Sequence, residues 1–103
     1  MSPKILEYNG IIIRFFSDEH LPIHVHAFYA EEHQMKVEFF IKDGKITKTE
    51  FKRVRGYKEF EPAQMRDLKK LIEKYKYDVV NDWVSYFVQN SRVTLKKINR
   101  KLK

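Results

Sequence analysis

Cysteine is absent from this 103-residue sequence, so no disulfide or thiolate metal site can form, and zinc ribbons and fingers are excluded. Any metal, whether zinc, manganese or nickel, would need nitrogen and oxygen ligands. Glycine and proline number only three each, which leaves little room for long loops. No run approaches the roughly 18 apolar residues of a membrane span, and Met1-Ser2-Pro3-Lys4-Ile5-Leu6-Glu7 lacks the apolar stretch of a signal peptide. The expectation is a cytoplasmic protein with no membrane association. Gly10, Gly44 and Gly56 stand alone, so there is no glycine-rich phosphate loop. Ser17 precedes Asp18 and His20, but no strand-to-helix elbow is there to expose its hydroxyl as a nucleophile. The first histidine of the His-x-His-x-His pattern of histidine-triad nucleotide hydrolases is replaced by Pro22. RNP aromatics, a GXXG loop and a helix-turn-helix are also missing.

What is present is an aromatic-rich chain, with eight Phe, six Tyr and one Trp, and that load argues for a folded core despite 34% charged residues. The length suits one domain that buries roughly two-thirds of its unfolded surface. The net charge of +7 is unevenly distributed. Residues 92–103 carry six cations (Arg92, Lys96, Lys97, Arg100, Lys101 and Lys103) and no acid. The other 91 residues hold 15 basic and 14 acidic side chains, so the body is nearly neutral and the end is basic.

Asn9-Gly10 lies between two apolar runs and favours the positive φ angles of a two-residue hairpin turn; Asp43-Gly44 repeats the device. Pairing Tyr8 with Ile11 puts Leu6, Tyr8, Ile11, Ile13 and Phe15 on one face. Between the hairpins, residues 23–29 alternate as a strand and lead through a five-residue connection, 30–34, to a fourth. From Glu61-Pro62 the period changes to that of a helix. Met65, Leu68, Ile72 and Tyr75 form one stripe and Val80, Trp83, Val84 and Phe87 another, with Lys76-Tyr77 as a break or kink. Trp83, Tyr86 and Phe87 read as core. Asn90-Ser91 reads as a helix stop. The expected fold is α+β, an antiparallel five-strand meander covered on one face by two C-terminal helices. Residues 1–90 form the domain and 91–103 a basic extension, read as an extra strand over Arg92 to Ile98 or a short helix.

Three of four histidines fall in Glu19-His20-Leu21-Pro22-Ile23-His24-Val25-His26. If residues 23–29 form a strand, His24 and His26 emerge on the same face, opposite the more apolar one. Pairing Tyr29 with Met35 would set His26 against Glu38 and His24 against Phe40. The Asp43-Gly44 turn would add Thr49 and Thr47 from the next strand. Two strand histidines and a carboxylate make a three-ligand set with one open position, so His24, His26 and Glu38 are the candidate metal ligands, with Glu19 and His20 beside them. A metal-free acid–base site and a purely structural histidine turn explain the same residues. A second candidate surface comprises Arg53, Arg55, Lys96, Lys97, Arg100 and Lys101, able to meet RNA phosphates or an acidic partner protein.

The run Glu19-His20-x-Pro22-x-His24-Val25-His26, the strands after it, and a helical end with Trp83 and Tyr86-Phe87 resemble the small bacterial proteins of the domain-of-unknown-function 4160 family. Ile23 stands where that family usually has a second proline. The resemblance covers about Ile5 to Phe87 and brings no catalytic assignment. It implies a small protein often encoded beside another, an arrangement suggesting a toxin–antitoxin-like pair. Two functions are therefore expected from the sequence: an interaction protein whose basic end binds a small partner protein or RNA, and, as the alternative, a metal-dependent hydrolase or nuclease at His24 and His26. An exposed outer strand would also allow a homodimer by sheet extension.

Overall fold

The computed structural model describes residues 3–15 and 22–103. Five strands follow one another: β1 (Lys4–Tyr8), β2 (Ile11–Arg14), β3 (Ile23–Tyr29), β4 (His33–Lys42) and β5 (Lys45–Arg53). A single helix, α1 (Pro62–Phe87), and a short strand, β6 (Lys96–Ile98), complete the chain. Asn9 and Gly10 sit at φ 49° and 82°, and Asp43 and Gly44 at 53° and 78°. Both two-residue turns thus adopt the left-handed geometry that matches strand twist.

The fold departs from the expected five-strand meander under two helices. The sheet has six strands in the order β5-β4-β3-β2-β1-β6. β6 runs parallel to β1, with Leu6 opposite Lys96 and Tyr8 opposite Ile98. After α1 has crossed the sheet, the chain reaches β1 in the direction β1 itself takes, and no hairpin signal in the sequence marks such a non-local pairing. The two expected helices are one of 26 residues. Lys76-Tyr77 contains no glycine or proline to interrupt it. The buried stripe Leu68, Leu71, Ile72, Val79, Val80, Trp83 continues through that point at helical spacing. Lys76 is partly buried there, and its ammonium reaches Glu73.

Pro62 opens α1 at the position where a missing N–H is harmless. Asn90 closes it at φ 55°, and Ser91 N–H donates to the Ser85 carbonyl over 2.8 Å, a left-handed helix end. The core lies between α1 and the sheet face that carries Ile11, Ile13, Phe15, Val25, Val37 and Phe39, all essentially inaccessible. Phe15 packs against Tyr86 and Phe87 at 5.7 Å. Trp83 meets Phe87 at 5.0 Å, which places this aromatic group in the core. Beyond α1, Ile98 and Leu102 are buried in the same cluster, and Leu102 N–H donates to the Tyr8 hydroxyl at 3.0 Å. The C-terminal segment is therefore fastened to the sheet.

Candidate functional site

Alternation along β3 sends His24, His26 and Phe28 to the face away from α1, because Val25 and Ala27 occupy the core. The two imidazoles are neighbours, their ring centroids 5.8 Å apart and inclined at 69°. Both are nonetheless buried: His24 is 3% exposed, His26 9%, Gln34 2% and Glu38 5%. Polar groups this deep need partners.

The partners are specific. His24 Nδ1 lies 3.0 Å from the Pro22 carbonyl and His26 Nδ1 2.7 Å from Gln34 Oε1. Both oxygens accept, so each ring donates from Nδ1 in this arrangement. Gln34 is itself held in place, its N–H donating to the Lys58 carbonyl at 3.1 Å, while Lys58 N–H donates to Glu32 at 2.9 Å. The Lys58 ammonium also pairs with the Glu32 carboxylate at 2.8 Å, holding that carboxyl below the usual range. Residue 34 thus links the segment after β5 to the His26 ring. Sequence reading missed Gln34, because a glutamine inside a predicted connection gives no sign of burial.

The strand register is shifted from the one expected. Tyr29 pairs with His33, so His24 faces Glu38 and His26 faces Lys36. The connection is three residues, with Ala30 in the left-handed region at φ 54°, a conformation no glycine or asparagine announces there. A bulge between Phe40 and Ile41 then accommodates Thr47 as an extra residue on β5. It sets Glu50, not Thr49, beside Glu38, and Thr49 beside Phe39 on the core side. Thr47 and Thr49 are therefore not brought to the histidines; the Thr47 hydroxyl donates to the Phe40 carbonyl.

Glu38 is surrounded by lysine. Lys52 Nζ is 2.7 Å from Oε1 and Lys36 Nζ 3.3 Å from Oε2. The Lys52 hydrogen bond holds the Glu38 carboxyl below its ordinary value against the upward push of burial, and Lys36 assists. The Lys52 ammonium is raised in return. A divalent ion at this carboxylate would have to displace two ammonium groups. Among the described residues, no group of three or more His, Asp or Glu side chains is arranged to hold a metal. Glu19 and His20 lie outside the described residues.

The cations of the second candidate surface do not converge. Arg53 ends β5 and pairs loosely with Glu59 at 3.6 Å; Arg55 is exposed in the turn that follows. Lys96 and Lys97 lie on β6, across five strand spacings of the sheet, or about 24 Å. Lys96 turns toward α1, with Nζ 3.7 Å from Asp78 and 5.3 Å from the Tyr75 ring. On the same helix, burial pushes the Asp82 carboxyl up, and Lys96 partly offsets this. Lys97, Arg100 and Lys101 line an open cleft of about 570 Å³ together with Glu7, Asn9 and Asp67. Asn9 donates to Asp67 at 3.3 Å. Among the described residues, no ion pair engages Lys97, Arg100 or Lys101.

A six-stranded sheet backed by one helix, with a buried histidine pair on the opposite face, defines a small α+β module. Residues 10–84 match the family described as Domain of unknown function (DUF4160), and the chain belongs to it. No curated protein and no solved structure matches. The matched stretch includes His24, His26, Gln34 and Glu38; β6 and its cations lie beyond it. Among the described residues, no helix is long and apolar enough to cross a membrane.

Proposed function

We propose that this protein is a binding module for an acidic partner protein, and that the β6 end of the sheet is the contact surface. One observation carries the reading: among the described residues Lys97, Arg100 and Lys101 make no ion pair, although Glu7 and Asp67 line the same cleft, and their backbone is held by β6 pairing and the Leu102–Tyr8 hydrogen bond. An ordered cation array loses less entropy on binding than a loose basic tail. A protein partner is favoured over RNA because, among the described residues, the rings beside this surface are covered: Tyr8 is buried and Tyr75 lies beneath Lys96. The two-component, toxin–antitoxin-like arrangement implied by the family resemblance fits such a module. The test is fluorescence anisotropy with labelled poly-glutamate and, separately, poly-uridine. The intact chain should bind poly-glutamate in a salt-dependent way, and a Lys97→Glu/Arg100→Glu/Lys101→Glu variant should bind on the order of tenfold or more weakly. Equal binding by the two proteins, or a clear preference for poly-uridine, rejects the proposal.

A second reading, a metal-assisted hydrolase or nuclease at His24 and His26, is favoured by one feature. The two rings stand side by side with centroids 5.8 Å apart, each held through Nδ1 by an oxygen, the kind of orienting contact that metal-ligating histidines use. Protein purified without chelator should then contain near-stoichiometric zinc, manganese or nickel that a His24→Ala/His26→Ala variant loses. Metal-free protein that also fails to take up these ions rejects this reading.

A further inference from the structure

The opposite edge of the sheet carries a second set of features that the β6 reading does not use. β5 is the terminal strand, and none of its nine residues is buried, whereas five of the seven residues of β3 and five of the ten of β4 are. α1 meets it through the side chains of Tyr77 and Lys69. The space left between them is a cleft of about 440 Å³ floored by Ile46, Phe51 and Ile72. On its α1 side stand Lys69, 5.9 Å from the Phe51 ring, and Lys76. The acid there, Glu73, is already bonded to Lys76 at 3.1 Å.

The edge itself is divided. Ile46 N–H donates to the Tyr77 hydroxyl at 3.2 Å, and the extra residue at Thr47 breaks the regular ladder. Beyond the bulge, Lys48–Arg53 pairs with β4 in unbroken register. Alternate residues of that stretch must direct their N–H and C=O groups outward, where another strand could pair. Thr49 and Phe51 face the cleft side; Lys48 and Lys52 face the other. β5 carries four cations, Lys45, Lys48, Lys52 and Arg53, against one acid of its own, Glu50; Lys48 pairs with Glu50 at 2.8 Å, Lys52 with Glu38 at 2.7 Å and Arg53 with Glu59 at 3.6 Å, so an incoming carboxylate would share cations that are already paired. A second copy of β5 would bring the same cations against these, so charge opposes self-pairing.

We infer that Lys48–Arg53 and the adjoining cleft accept an acidic, extended segment of a partner protein as a seventh strand. Alternate side chains of the incoming segment meet different surfaces. One set drops apolar groups onto Phe51 and Ile72, and the other sets carboxylates beside Lys48 and Lys52. The recognised pattern is acid alternating with a large apolar residue. This site is separate from the β6 surface, about 24 Å away across the sheet, so either can fail alone.

The test uses the full chain, labelled with ¹⁵N, and two acetylated heptapeptides: Glu-Val-Glu-Phe-Glu-Val-Glu and its counterpart with Lys for every Glu. With the acidic peptide, amide shifts should move in Lys48–Arg53 and around Lys69. Every second β5 amide should gain protection from hydrogen exchange, a pattern that loose ionic attraction does not produce. Lys48→Glu/Lys69→Glu should weaken binding at β5, titrated through the Lys48–Arg53 amide shifts, on the order of tenfold, whereas Lys97→Glu/Arg100→Glu/Lys101→Glu should remove any shifts at β6 and leave those at Lys48–Arg53 unchanged. The inference is overturned if the acidic peptide does not bind, if shifts are confined to β6 and the C-terminal residues, if the Lys peptide binds equally well, or if β5 amides are already protected in a dimer.

Discussion

Replacing Glu38 by Gln separates a structural carboxylate from a metal-binding one. The carboxylate is 6% exposed and receives Lys52 at 2.7 Å and Lys36 at 3.3 Å. Close contacts between opposite charges contribute about 1.5–3 kcal/mol each where both groups are sealed from water and well aligned as hydrogen bonds. Both lysines reach solvent, however, being 51% and 28% exposed, so water recovers part of that when the charge is removed. The expected loss for Glu38→Gln is about 1–2 kcal/mol, or roughly 4–16 °C in Tm for a domain of this size. The pH dependence has a definite sign. Lys52 holds the folded-state carboxyl below its unfolded value, so the stabilisation is fully present above the unfolded pKa and is lost as pH falls through the folded one. Urea denaturation of both proteins between pH 7 and pH 2.5 should give a constant gap down to about pH 5 that closes in acid. A variant as stable as the parent at pH 7, or a gap unchanged at the acid end, would refute the reasoning. Metal affinity that disappears in Glu38→Gln while stability is retained would assign the carboxylate to a metal instead.

Three further outcomes follow from the geometry. Gln34→Ala strands the His26 Nδ1 proton in a buried site and should cost about 1–3 kcal/mol by urea denaturation; long-range ¹H–¹⁵N spectra of the parent should show that ring in its Nδ1–H form. Leu102→Ala or Tyr8→Phe should loosen the C-terminal segment, read as faster hydrogen exchange at Lys96–Ile98 with β3 and β4 amides unchanged. Asn90→Val, forced to hold φ near 55°, should lower Tm, whereas Asn90→Gly should match or exceed the parent.

Features written in local chemistry were legible in the sequence. Asn-Gly and Asp-Gly fixed both hairpin turns, and period-two alternation put His24 and His26 side by side. Register was not, because Ala30 adopts a left-handed turn without a residue that advertises it, and Thr47 bulges out of a strand of ordinary composition. Those two events moved Glu38 from His26 to His24 and took the threonines away. Glu38 itself was identified from its place in the strand pattern, but its two lysine partners depend on the corrected register. The helix division at Lys76-Tyr77 failed because the buried stripe continues through that point at helical spacing. β6 was the hardest to place: its partner β1 is some ninety residues away in sequence, and pairing over that range leaves no local pattern to read.

The claim that the C-terminal cations act as a fixed array is tested most directly by loosening them without removing any. Anisotropy titrations with labelled poly-glutamate should be run on the intact chain and on Tyr8→Phe/Leu102→Ala, which keeps Lys97, Arg100 and Lys101 but not the anchor. If the anchored geometry matters, the double variant should bind severalfold more weakly at equal salt. Equal affinity would mean that a loose polycation is enough and would contradict the account.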